Sequence, residues 1–383
     1  MPQLSSALGL SASEVASLSG VFYYGYAPFC LIIGIAVDRM GPRLVMPGGM
    51  LLTLGGAFLF GMGNVTLANI GRLLQGVGGA GAMVGAVYIA SKNFPASRAA
   101  TLIGATQMFG MAGGSAGQLL VAPAISGGLA WDRFWIYSSL AGLALAVGLY
   151  FSLGNQKPSG REGDWFSASV SALAAVVRNP QSILCGLISG LLFLPTNIFD
   201  MIWGVRFLQE AYGFDYGEAV MRSTTVPLGW IIGCPLAGML TDRLGLRKPV
   251  IIGGSVLQLL CLVWILYGPP NVLPPYVLGL ISGIASGVAM IPFTVIKELN
   301  APTVSGTATG VINLMTFAMS ALLGPVFGLI MQKTTGGQPG ELEHYRITFG
   351  PMMYCVGLAI LLTFVLRETG KSAQKKDSMV EAV

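Results

Sequence analysis

The chain has 383 residues, of which 54% are hydrophobic and 10% charged, with a formal net charge of +5. A soluble domain carries roughly 25% charged residues, so this composition excludes a soluble enzyme, a disordered scaffold and a nucleic-acid binder. The mean hydropathy of +0.72 and the 54 glycines instead fit a chain whose solvent is lipid, where glycine lets helices approach closely.

Apolar stretches of about twenty residues, enough to cross roughly 30 Å of hydrocarbon, recur along the chain. They predict membrane helices near 15–37, 44–63, 67–90, 99–123, 134–153, 182–206, 221–241, 249–268, 275–296, 306–330 and 348–366. The expected fold is an all-α membrane protein of about 11 transmembrane helices. Five form an N-terminal bundle over 1–153, and six form a C-terminal bundle over 181–367. A polar, Gly- and Ser-rich linker at 154–180 separates them, and a polar tail follows at 368–383.

Fifteen of the 21 Lys and Arg residues fall in alternate turns, in the linker and in the tail, from Arg39 to Lys376. By the positive-inside rule that side is cytoplasmic, which places the protein in the cell (inner) membrane with its linker and C-terminus inside. Met1 to Asp38 carry neither Lys nor Arg, in keeping with a start outside, and no cleavable signal peptide is visible. The five cysteines lie in or beside apolar runs without a C-x-x-C pair, and His344 is the only histidine. No metal, cofactor or catalytic residue is therefore expected.

The sharpest signal is an internal repeat. Gly34 to Arg43 read GIAVDRMGPR and Gly238 to Lys248 read GMLTDRLGLRK. They share G-x-x-x-D-R-x-G-x-R, with Asp38 and Asp242 204 residues apart. Each copy follows an inward-going span, so the halves read as parallel repeats. These paired loops resemble the signature of the major facilitator superfamily of secondary transporters, between its second and third helices and again between its eighth and ninth. Asn69 to Ala82 (NIGRLLQGVGGAGA) resembles that family's R-x-x-Q-G pattern on the fourth helix. Phe94-Pro95-Ala96-Ser97-Arg98 is similar to the following loop, and Ala130 to Trp135 (AWDRFW) to the start of the sixth helix.

The resemblance implies two bundles and a secondary active carrier of a small solute, working by alternating access on a proton or solute gradient. In this alignment the chain starts after the family's first helix, and we expect a further apolar stretch to precede it. The stretch Gly110 to Gly117 lacks the Gly-Pro pair typical of drug/proton antiporters.

Charge within lipid costs about 2.5–3.5 kcal/mol at mid-helix, so Arg72 and Asp200 stand out as candidate substrate or coupling residues. Asn69, Arg72 and Gln75 share one helical face, which can line a cavity; the alternative is that Arg72 snorkels or pins backbone carbonyls. Asp200 follows Pro195, which should break or kink its helix and cluster Asn197, Asp200 and Trp203. The alternative pairs Asp200 with Arg206 at the outer interface. Gln107, Asn313 and Tyr23 mark further polar seams that serve a cavity or hold helices together.

In the signature loops Gly34, Asp38, Arg39, Gly41 and Arg43, with Gly238, Asp242, Arg243, Gly245 and Arg247, are expected to form a conformational latch; the alternative is ordinary positive-inside charge with no switching. Asp38 can meet the positive end of a facing helix. The resemblance implies that this network holds the cytoplasmic side shut. No Walker A motif is present. An Arg without a nearby acid leans toward an organic anion or carboxylate as substrate. The alternatives are a drug or amphipathic-cation efflux antiporter, an amino acid or peptide carrier, and a non-transporting sensor on the same fold. The expected partners are a small-molecule substrate, a co-transported proton or ion, and the lipid bilayer, with no nucleic acid and a monomeric chain.

Overall fold

The computed structural model describes residues 8–10, 12–121, 124–125, 127–154, 165–269, 275–336, 338 and 340–370, and all of the regular structure there is helical. In chain order the helices are α1 (Ala12–Met40), α2 (Pro42–Phe60), α3 (Val65–Asn93), α4 (Ala99–Ala116), α5 (Trp131–Ser152), α6 (Trp165–Val177) and α7 (Pro180–Leu194). There follow α8 (Gly204–Tyr212), α9 (Tyr216–Leu244), α10 (Lys248–Tyr267), α11 (Pro275–Ser286), α12 (Ile291–Glu298), α13 (Ser305–Thr335), α14 (Leu342–Phe349) and α15 (Pro351–Val365).

Among the described residues, ten helical runs are long and apolar enough to cross a membrane. They coincide with ten of the eleven predicted spans. The remaining one, 99–123, is helical as α4 and a π-turn over Gly117–Val121, but Gln107 and its glycines make it less apolar than the others. Of the expected linker, 155–164 lies outside the described residues, while Ser167–Val177 forms a short apolar helix. Tail residues 371–383 also lie outside them.

Pro195 begins the predicted irregularity. It has no N–H to donate to the preceding turn, and the backbone from Pro195 to Trp203 is wound as a π-helix that joins α7 to α8 in one 33-residue run, Pro180–Tyr212. Extra residues in a helical turn re-aim the side chains that follow.

The chain forms two compact units. One contains Met1–Asn93, Ala116–Asn179 and Asn300–Leu314; the other contains Phe94–Ser115, Pro180–Leu299 and Met315–Val383. In the first, α3 packs between α1 and α2, and Cys30, Ile33, Val37, Val45, Ala80, Val84 and Tyr88 close a core. In the second, α9 packs along α11, and α10 lies against α11 and α15. Trp230 is wholly buried there, its Nε1 donating to Thr196 Oγ1 at 3.0 Å.

Two glycines of the repeat are required by backbone geometry. Gly41, at the N-terminus of α2, has φ +79°, and Gly245, at the C-terminus of α9, has φ +66°. A left-handed residue costs a side-chain-bearing amino acid roughly 1–2 kcal/mol. Gly41→Val and Gly245→Val should therefore each lower the thermal-unfolding midpoint of the detergent-solubilised protein. Gly253→Ala, in open space within α10, should leave the midpoint unchanged or raise it, because Ala is about 1 kcal/mol the better helix former.

Candidate functional site

The two copies of the repeat build the same object twice. A helix begins with backbone N–H groups that have no partner within the helix, and its N-terminus carries a partial positive charge. In the first unit the Asp38 carboxylate, 4% exposed, sits at the start of α13. It accepts from the N–H groups of Gly306 (2.8 Å) and Thr307 (2.7 Å) and from the Thr307 hydroxyl (2.8 Å). In the second unit Asp242 does the same at the start of α4, accepting from the N–H of Thr101 (2.9 Å) and its hydroxyl (2.8 Å).

Such contact demands close helix crossings. A Cβ at Gly34 would collide with the Gly306 carbonyl, and one at Gly310 would lie 2.5 Å from the Cys30 carbonyl. In the second unit a Cβ at Gly238 would collide with the Ala100 carbonyl, and one at Gly104 with that of Cys234. Donor and receiver sides thus both repeat. Cys30, Gly34, Asp38, Gly41 and Arg43 recur 204 residues later, and Thr101 and Gly104 recur 206 residues later as Thr307 and Gly310. The receivers were missed in the sequence, although T-x-x-G at this second spacing marks them. Of the glycine pairs that stand out by spacing, Gly283 and Gly287 do pack tightly, on Val226 and Gly233 of α9. Gly110, Gly114, Gly324 and Gly328 face open space within 4 Å.

Beyond the caps the two copies differ. Arg247, 2% exposed, binds Asp242 (2.8 Å) through Nη1 and Glu298 (2.7 Å) through Nη2. Burial opposes its charge, but the hydrogen bonds and charges of Glu298 and Asp242 outweigh that and raise its pKa above the ordinary Arg value. A raised basic pKa is a stabilisation lost only as pH climbs through that raised value, so the guanidinium stays charged at every working pH. Glu368 closes the network, accepting from the N–H groups of Arg247 (2.7 Å) and Lys248 (2.9 Å) at the start of α10. Thr369 donates to Glu298 at 2.5 Å. In the first copy Arg43 lies over the Tyr150 ring, 4.7 Å from its centroid. Arg39 is half-buried and Arg243 exposed.

Of the polar stripe on α3, the structure joins Arg72 to Gln75, Nη1 donating to Oε1 at 3.2 Å, whereas Asn69 donates to the Val65 carbonyl of its own helix at 2.9 Å. Arg72 lies over Phe60 (4.5 Å) and Trp135 (5.5 Å), and its Nε and the Gln75 Nε2 are buried donors without a partner among the described residues. Tyr23 is half exposed. Asn313 donates to Tyr26 Oη and Cys30 Sγ, both at 3.1 Å.

In the second unit Asn197 donates to Ser320 Oγ at 3.2 Å, Trp203 stacks near Phe349, and Gln107 is half-buried on α4. The structure does not bring Asn197, Asp200 and Trp203 onto one ligand-like cluster of contacts. Arg206, offered as a partner for Asp200, instead binds Glu210 at 2.7 Å.

A family model described as Major Facilitator Superfamily matches residues 1–325. The human MFS-type transporter SLC18B1 is 23% identical over 410 aligned residues, covering 99% of this chain and 84% of that protein. The hexuronate transporter of Bacillus subtilis is 25% identical over 275 residues, covering 68% of this chain and 64% of its own. The crystal structure of the E. coli fucose:proton symporter FucP superposes with a TM-score of 0.71 at 18% identity, over 96% of this chain and 93% of that one.

Removing one partner of a buried ion pair leaves the rest uncompensated and costs about 3–5 kcal/mol. Arg247→Ala should therefore lower the thermal midpoint steeply, and Arg247→Lys should recover part of the loss because one ammonium cannot serve both carboxylates. An Ala variant as stable as the parent would show that the network adds nothing.

Proposed function

The chain belongs to the Major Facilitator Superfamily, a family of multi-pass membrane transporters of small solutes, and from that premise we propose that it moves its solute by alternating access with the two Asp caps as the latch. The observation that carries this reading is the reciprocal capping. Asp38 from the first half of the sequence caps a helix of the second, and Asp242 from the second caps a helix of the first. Each cap joins segments that alternating access must separate, and each is held by a few charge-assisted bonds. By the basic-residue bias these caps lie on the cytoplasmic side.

The substrate we infer is a small organic anion, driven by a proton or solute gradient. Arg72 has no acidic partner among the described residues, and its free Nε–H and the free amide of Gln75 are donors waiting for an acceptor. A carboxylate is the group that an Arg fork receives best. The hexuronate named for one relative is itself a sugar carboxylate. Tyr23, Asn69 and Asn313, all of the first unit, complete the polar set that we assign to solute or coupling-ion contact.

Uptake of labelled hexuronates into proteoliposomes under an imposed proton gradient tests the substrate class; transport that is indifferent to the carboxylate sinks it. Arg72→Ala should abolish uptake, and Arg72→Lys should keep part of it, since Lys lacks the planar fork. Full activity with Ala would take Arg72 off the path.

The latch has its own test. Asp38→Asn keeps the shape but loses the charge that the α13 terminus attracts, a helix-dipole effect of about 0.3–1 kcal/mol. Uptake should fall several-fold. Labelling of Ser305→Cys, at a site now 5% exposed, should rise in the same variant. Unchanged uptake and labelling would overturn the latch.

A further inference from the structure

The second unit contains a cavity with a water-accessible space of about 70 Å³, lined by Phe199, Asp200, Phe207, Arg222, Ser223 and Trp264 among others. At roughly 10–15 Å³ per water, it has room for about five waters, or a ligand of about five heavy atoms. Its walls come from the π-segment, α8, α9, α10 and α11. It therefore lies near the start of α9, while Asp242 sits at that helix's far end.

The charges around this cavity do not balance. Asp200 is 9% exposed, and its carboxylate has no hydrogen bond or ion pair among the described residues; only its backbone carbonyl is used, accepting from Ser223 Oγ at 3.2 Å. Arg222 does not neutralise it. The Arg222 Nη2 is held by Glu218 at 2.6 Å, and its guanidinium lies 3.5 Å from the Phe214 ring centroid. Arg222 Nε and Trp264 Nε1 at the wall are also buried without partners among the described residues. A lone carboxyl group in aromatic surroundings keeps its proton, and it becomes a carboxylate only when a cation joins it. A bare metal ion is poorly served, because Asp200 supplies the only carboxylate at the wall and the remaining lining is mostly apolar and aromatic. An organic ammonium suits the site better, with its charge on Asp200 and its hydrocarbon body against the rings.

We propose that this cavity is a binding site for a small organic ammonium of about five heavy atoms, with Asp200 as its counter-charge. The proposal concerns equilibrium binding and does not rest on the anion carried at Arg72, so its failure would leave the transport reading untouched.

The test is calorimetry on the full-length protein in detergent. The probe is n-butylammonium, and n-butanol is its neutral counterpart. The amine should bind saturably and at least tenfold more tightly than the alcohol. Asp200→Asn should weaken amine binding at least tenfold, and Gly253→Ala should not change it. A second measurement keeps Asp200 intact: the amine, but not the alcohol, should slow thiol labelling of Ser223→Cys. Equal binding of amine and alcohol, undiminished binding by Asp200→Asn, or unprotected labelling at 223 would each overturn the proposal.

Discussion

A helix that begins inside a membrane protein must find acceptors for its first N–H groups, and here the acceptors for α13 and α4 arrive from distant segments as carboxylates. The rest of the arrangement follows from this need. The carboxylate must reach the helix start, so α1 and α9 must cross their partners backbone to backbone, which only glycine at 34 and 238 permits. The chain must then turn sharply, which Gly41 and Gly245 allow through positive φ. The motif G-x-x-x-D-R-x-G-x-R is the shortest text that writes crossing, cap and turn together.

The two copies share this geometry but not its surroundings. Asp242 sits within an ionic cluster of Arg247, Glu298 and Glu368, and the chain end after α15 reaches back to cap α10. Asp38 relies on neutral donors of the α13 terminus. A charge network is stronger yet costs more to take apart, because each member left behind is a buried charge.

Much of the fold was legible because lipid imposes a simple rule: a run of apolar residues about twenty long must be a helix. The donor half of the caps was legible for a similar reason, since Asp38 and Asp242 stand out in a chain so poor in charge. The receivers were not. Thr101, Thr307 and their glycines are ordinary residues in apolar helices, and their task is assigned by backbone N–H groups that every sequence has. The π-winding after Pro195 was visible only as an interruption, because a missing donor tells where a helix must adjust but not by how many residues. The stripe of Asn69, Arg72 and Gln75 was read as a unit, yet Asn69 turned to its own backbone, a local partner that is always within reach of a short amide.

The exchanged caps have a consequence for how the chain holds together. Each half of the sequence both gives a carboxylate and receives one, and residue i meets j in one unit as the equivalent of j meets the equivalent of i in the other. This is the logic of an isologous interface, the self-complementary contact by which identical subunits pair. Here it is written into one polypeptide. Each of these helix starts is capped from the other half of the sequence, 268 residues away for Gly306 and 141 for Thr101. Each cap thereby ties an early and a late segment of the sequence into one compact unit.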